Sequence, residues 1–258
     1  MDVTALVKPY LTPTDPPIDL SQALALGLLG DEVRTFHVCG VVNTTTSWAD
    51  LWGAGGIRAD PSASAAVVRI VSTSSTDSAS GTGARSVEIV GWSSSWNVVT
   101  EVVNVNGTST VSSTNSFHRI ISARVVTAGA SGANAGTLTL TISSKTMATI
   151  AIGDNASFHS HFTVPPNHIG YVYGWRFSAA KGGGQIDHGA IRFYVGPSSQ
   201  VYYPHEQHAL TEGGGFIGSL PLLVVGGQSE LVVRAKSTGS GSERYVTTSY
   251  HVALFPAQ

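Results

Sequence analysis

The sequence is poor in charge. Asp, Glu, Lys and Arg make up only 12% of its 258 residues, about half the roughly 25% of an ordinary soluble domain. Lysine is nearly missing, with Lys8, Lys145, Lys181 and Lys236 the only four, and the net charge is −2. So little charge builds no long-range field to hold nucleic acid or an anionic membrane, and little repulsion between copies. Disorder needs low hydrophobicity with high net charge; 42% hydrophobic residues and near-neutrality exclude it.

Cysteine is reduced to Cys39, which excludes an intrachain disulfide and a cysteine-rich zinc centre. Its setting, Thr35-Phe-His-Val-Cys-Gly-Val-Val-Asn43, reads as a buried strand with the thiol packed as a small hydrophobe. Long apolar runs are missing too. Leu20 to Leu29 is about half the ~20 residues a membrane helix needs. The opening Met1-Asp-Val-Thr has no basic stretch leading into an apolar one, so folding in a cytoplasm is expected.

Hydroxyls and glycine fill the gap. The chain holds 32 Ser, 25 Thr and 29 Gly, a composition of strands joined by tight turns. The fold expected is all-β, with two antiparallel β-sandwich or jelly-roll-like domains behind an extended N-terminal arm. The arm covers 1–32, where Pro9, Pro13, Pro16 and Pro17 enforce extension and Gln22 to Leu29 could form a short helix. Its leucines, Leu20, Leu24, Leu28 and Leu29 among them, would lie either on a neighbouring subunit or on the chain's own sheet. The first sandwich is expected over 33–145 and the second over 146–258.

Local signals are specific. Trp48, Leu51 and Trp52 fit one face of a helical turn plugging a core. Arg85 to Gly91 and Asn97 to Asn104 read as a hairpin, and Asn106-Gly107 as a turn. His118 to Thr127 and Thr137 to Ser143 read as a further strand pair. Thr137-Leu-Thr-Leu-Thr-Ile142 alternates cleanly, as a strand buried on one side does. Ser157 to Val164 and Gly170 to Phe177 are later strands.

Several stretches form an ordered pattern: Asp77 followed by Gly81-Thr-Gly-Ala-Arg85, then Thr114-Asn-Ser-Phe-His-Arg119, Gly132-Ala-Asn-Ala-Gly136 and Phe162-Thr-Val-Pro-Pro-Asn-His-Ile-Gly-Tyr171. In this order they resemble a family of tailed-phage virion structural proteins, many from aquatic phages. The resemblance spans roughly 35 to 255. Pro166-Asn167 stands where that pattern has Ala-Gly. It implies a virion component, most plausibly a capsid decoration or cement protein bridging major capsid protein subunits, or a tail or head-to-tail protein. It brings no catalytic residues and no cofactor.

Gly81-Thr-Gly83-Ala-Arg85 lacks the Gly-Lys-Ser/Thr ending of a phosphate loop and precedes a strand, so a turn with Arg85 paired to Asp77 is expected. His159 and His161 share one strand face, and His205 and His208 could join them as weak metal candidates. Neutral histidines on a polar sheet face are the alternative. Sixteen scattered acids and no nucleophile elbow give no enzyme signature. Tyr171, Tyr173 and Trp175 read as one aromatic face, either core, a subunit interface of a homo-oligomer, a trimer for choice, or a stacking platform for host glycans. The Gly-rich loops 128–136 and 181–189 are expected to touch neighbours.

Overall fold

The computed structural model describes residues 33–44, 46–59, 61, 64–181, 189–197, 203–210, 215–217, 223–237 and 244–257. The arm 1–32, with Leu20, Leu24, Leu28 and Leu29, lies outside these residues, as does the glycine run 182–188. The described part is all-β and antiparallel. Along the chain come β1 (Arg34–Thr44) and β2 (Ala49–Asp50), then β3 (Ala66–Ser72), β4 (Ala84–Ser93), β5 (Val98–Asn104), β6 (Val111–Ala128), β7 (Leu138–Ile142) and β8 (Lys145–Ile150). The remainder are β9 (Phe162–Thr163), β10 (His168–Lys181), β11 (Gly189–Pro197), β12 (Tyr203–Leu210), β13 (Gly215–Ile217), β14 (Leu223–Val225), β15 (Ser229–Ser237) and β16 (Arg244–Pro256).

Three sheets result. The first runs β1-β16-β10, with β13 and β14 both on β10. The second runs β12-β11-β15-β2, with β9 also on β15. Their inner faces close on one core, in which Val38, Val246, Tyr250 and Trp175 meet Ile191, Phe193, Leu231 and Val233. The third sheet, β5-β4-β6-β3-β7-β8, curls around a separate core of Val68, Ile70, Val87, Ile89, Phe117, Leu138, Leu140 and Ile150. Its alternation is plain in β7, whose leucines and Ile142 are buried while Thr139 and Thr141 are half-buried. Hydrophobic side chains point inward and hydroxyls outward because period two offers each strand one wet and one dry face.

The expected domain division does not follow the sheets. β1 and β2, assigned to 33–145, pair with β16 and β15 from the other end of the chain. The limit at 145/146 cuts through β8, which pairs with β7. The third sheet is therefore an insertion, 66–150, between strands of one sandwich. Two local expectations also change. β6 and β7 do not pair, because β3 lies between them. Trp48 to Trp52 is not a helical turn but the short strand β2, whose Asp50 sits opposite Arg234.

The motif around Asp77 has a structural reason. Asp77 is fully buried and accepts from Ser72 Oγ at 2.6 Å and from the amides of Ala84, Ala135 and Gly136 at 2.7, 2.8 and 2.8 Å. It ties the 73–83 loop to the 128–137 loop. Burial alone would raise its carboxyl pKa, but the Ser72 hydroxyl and these amides outweigh that and hold it low. The expected Asp77–Arg85 pair is absent from this shell: Arg85 Nε donates instead to Gly81 O at 3.0 Å. A Cβ on Gly83 would fall 2.1 Å from Asp77 Oδ1, so only glycine fits there. Asn134 extends the tie, donating to Gly136 O and Ala151 O at 2.7 Å each. The loop 128–136 is thus pinned to its own fold, with its tip exposed at Ala130 to Gly132.

Asp77→Ala would leave three buried amides without an acceptor, each costing about 1–3 kcal/mol. Urea unfolding should show this variant, and Gly83→Ala, destabilised by at least about 3 kcal/mol relative to the parent chain.

Candidate functional site

The densest group of titratable side chains lies where the inserted sheet meets the sandwich. Its frame is the segment 157–163, which is bonded both to β15 and to the chain just after β2. Ser160 N donates to Leu51 O at 2.8 Å, and Ser160 Oγ donates to Val233 O at 3.0 Å. Tyr250 Oη donates to Ser160 O at 2.8 Å. A Cβ on Gly40 would stand 2.3 Å from Leu51 O, so β1 can pass over this crossing only as glycine. The strand expected over Ser157 to Val164 is accordingly reduced to β9 and a single bridge, Trp52–His159.

Two carboxylates anchor the group. Asp50 Oδ1 accepts from Arg234 Nε at 2.7 Å; Oδ2 accepts from Arg58 N and His161 Nε2, each at 2.8 Å. Glu230 Oε1 accepts from Arg119 Nε at 2.8 Å and faces Arg119 Nη2 at 2.8 Å, while Oε2 accepts from Thr163 Oγ1 at 2.6 Å. Both acids are buried, as are Arg119 and His161. Arg119 comes from β6 of the inserted sheet and Glu230 from β15 of the sandwich, so this ion pair joins the two. Aromatic rings seal it: Trp92 of β4 lies 6.3 Å from Phe162 and 5.6 Å from Phe36, and Trp96 stacks on His118 at 4.4 Å with Arg119 above it.

Electrostatics follows from burial. His159 is held down to about 3 by desolvation, then by His161 and Arg58. His161 is held down to about 4 by desolvation and Arg58, against the opposing pull of Asp50 and Glu230. Asp50 is pushed up by burial but brought low overall by the His161 hydrogen bond, the nearby cations and the Arg58 amide. At neutral pH a neutral His161 therefore donates Nε2–H to an ionised Asp50.

Such a pair resembles a base with its orienting carboxylate. However, His161 Nδ1 is buried and meets no hydrogen-bond partner, and neither nitrogen of His159 has one. Among the described residues no hydroxyl is hydrogen-bonded to either imidazole.

The expected sites fare unevenly. His159 and His161 share a face, 6.2 Å apart between ring centres, but the face is buried and not polar. His205 and His208 lie on β12, at the far edge of the second sheet, two strands from β9. Among the described residues no group of three His, Cys, Asp or Glu is arranged to hold a metal. The aromatic face divides. Gly174 adopts φ +65° and the register of β10 against β16 shifts between Tyr173 and Arg176. This bulge turns Trp175 into the sandwich core, where its Nε1 donates to Thr248 Oγ1 at 2.8 Å. Tyr171 is buried against Phe255 at 4.9 Å, and Tyr173 stays half-buried beside His251. Tyr171 and Trp175 are thus filled into the chain itself and offer no surface to a partner or a sugar.

Sequence reading missed Asp50, Glu230, Arg234 and the pairing of Arg119. One signal was present: Arg119 occupies the same period-two face as buried Phe117.

No family model matches the chain, and no curated protein does. Among solved structures, infectious bursal disease virus of the Gt strain aligns over 99% of this chain and 82% of that one, at 11% identity and TM-score 0.23. The Gx strain aligns over 98% and 79%, at 7% identity and TM-score 0.26. The VP2 subviral particle of that virus aligns over 99% and 82%, at 9% and 0.20. Superpositions this loose establish no correspondence of residues or roles.

Breaking the junction pair has a definite sign. Arg119→Met strands Glu230 without its cation and should cost about 3–5 kcal/mol in urea unfolding. Arg119→Met with Glu230→Met should recover most of that loss, since no buried charge remains. Acid has a definite sign as well. Unfolded histidines protonate near 6.5, whereas the folded pair stays neutral down to about 4 and about 3. Between pH 4 and 6.5 the unfolded chain binds more protons, so stability falls as pH is lowered through that window. His118 and His251 are shifted the same way. Urea midpoints at pH 7 and pH 5 should therefore differ less in His159→Gln than in the parent chain.

Proposed function

We propose that this chain is a structural component of a virus particle, of the tailed-phage type, and that it works by assembling with itself and with other virion proteins. The observation that carries this reading is where the pattern that resembles phage structural proteins falls. Asp77, Gly83, Asn134 and Gly136 tie two loops of the inserted sheet together. Arg119 docks that sheet on the sandwich. Asn167, which stands where the resembled pattern has glycine, takes φ +59°, the left-handed conformation glycine would supply. Residues of that pattern thus serve a rigid shape, which supports a particle-building role.

Within that reading a decoration or cement protein, working as a trimer, is the form we favour. A cement protein acts by covering seams between capsid subunits, with about 1,600 Å² per contact sufficient for specific association. Repetition around a shell then multiplies weak contacts. The neutral, hydroxyl-rich surface suits close packing of copies. The leucines of 1–32 remain the segment we assign to neighbours. A glycan platform at Trp175 is not proposed, because that ring is filled into the core.

Cryo-electron microscopy of purified particles tests this directly. Density for the chain repeated over the icosahedral shell, in threefold clusters, is expected. Density confined to the tail or the portal vertex would replace the cement role with a tail or connector role, and its absence from particles would sink the virion reading altogether.

A further inference from the structure

The outer face of the first sheet carries a second pair of histidines, separate from the buried junction. His37 on β1 stands directly opposite His251 on β16, and Tyr173 on β10 stands opposite His251 on the other side. His37 is exposed and His251 half-buried. Their ring centres are 4.9 Å apart, with planes inclined at 60°. Neither ring is hydrogen-bonded to a described residue, in contrast to His161, whose Nε2 is spent on Asp50.

We propose that His37 and His251 form a binding site for a divalent d-block cation of the zinc class. The geometry is the argument. Zinc sits about 2.0–2.1 Å beyond an imidazole nitrogen. That places the metal about 3.2 Å from each ring centre, and a tetrahedral angle then sets two ring centres about 5 Å apart. The observed 4.9 Å between ring centres matches that separation. Antiparallel pairing fixes both Cβ positions, so little conformational freedom is lost on binding.

His251 is held below the usual imidazole range by desolvation, by His37 and by Arg176. Tyr173 packs against His251 at 5.3 Å and restrains its ring. Two protein ligands leave the remaining coordination positions to water.

Titration of the full chain with zinc alone, followed by calorimetry, tests the site. One saturable zinc per chain is expected. His37→Gln and His251→Gln should each weaken it by at least about tenfold, since even indirect supports of a metal ligand are worth that much. His168→Gln, whose ring is occupied with Pro166 O at 3.0 Å, should titrate like the parent. Parent-like zinc binding by both His37→Gln and His251→Gln would overturn the proposal. A readout free of any substitution is the imidazole proton spectrum of the parent chain. The His37 and His251 signals should shift together on adding zinc; shifts confined to other histidines would also overturn it.

Discussion

Everything in this fold depends on β1 lying against β16. Eleven residue pairs run from Arg34 opposite Leu254 to Thr44 opposite Arg244. This contact closes most of the chain into a single loop. Closing so long a loop in an unstructured chain is slow and costly in entropy, although the cost grows only with the logarithm of length. The inserted sheet eases the problem. Residues 66–150 carry their own core and their strands form one sheet, with the bridge Arg124–Ala156 reaching just beyond that range. Once they have folded, the open loop is shorter by their whole length. The sandwich then has to bring together ends already held near one another.

The insertion must also sit in one place. An apolar contact such as Trp92 on Phe162 supplies attraction but tolerates sliding. The Arg119–Glu230 pair does not. Taken out of water, its two charges gain little net stability over apolar residues. A displaced insertion, though, would leave Glu230 buried beside Thr163 with no cation, a cost of several kcal/mol. The junction thus fixes position more than it adds strength, and the aromatic rings around it supply the strength.

The sequence carried the local half of this account. Alternation marked β4, β5 and β7, and Asn106-Gly107 turned as expected, with Gly107 at φ +60°. Those features rest on neighbours within a few residues. The domain division failed because β1 finds its partners at the far end of the chain, and strand pairing at such distance leaves no periodic trace. Gly174 hid a second error. One bulged residue shifts every later side chain to the opposite face, so Tyr171 and Trp175, four positions apart, do not share the face that simple counting assigned them. Asp50 was hidden for another reason: a lone acid beside Trp48 and Trp52 looks like a turn residue until Arg234 and His161 are seen around it.

Histidine shows the same limit most sharply. Counting by two placed His159 and His161 on one face, and the structure sets their ring centres 6.2 Å apart. Counting could not say which side of the strand faces water. The segment 157–163 is covered by β1 on one side and held to β15 and to the chain just after β2 on the other, so both rings are dry and stay neutral far into acid. His37 and His251 lie more than 200 residues apart in sequence and carry no motif, yet pairing of β1 with β16 sets them opposite each other on a wet face. A ligand pair formed by strand register has no spacing rule within one strand; it becomes visible only once the register is known. The interaction that organises the fold is therefore also the one that sets His37 and His251 opposite each other.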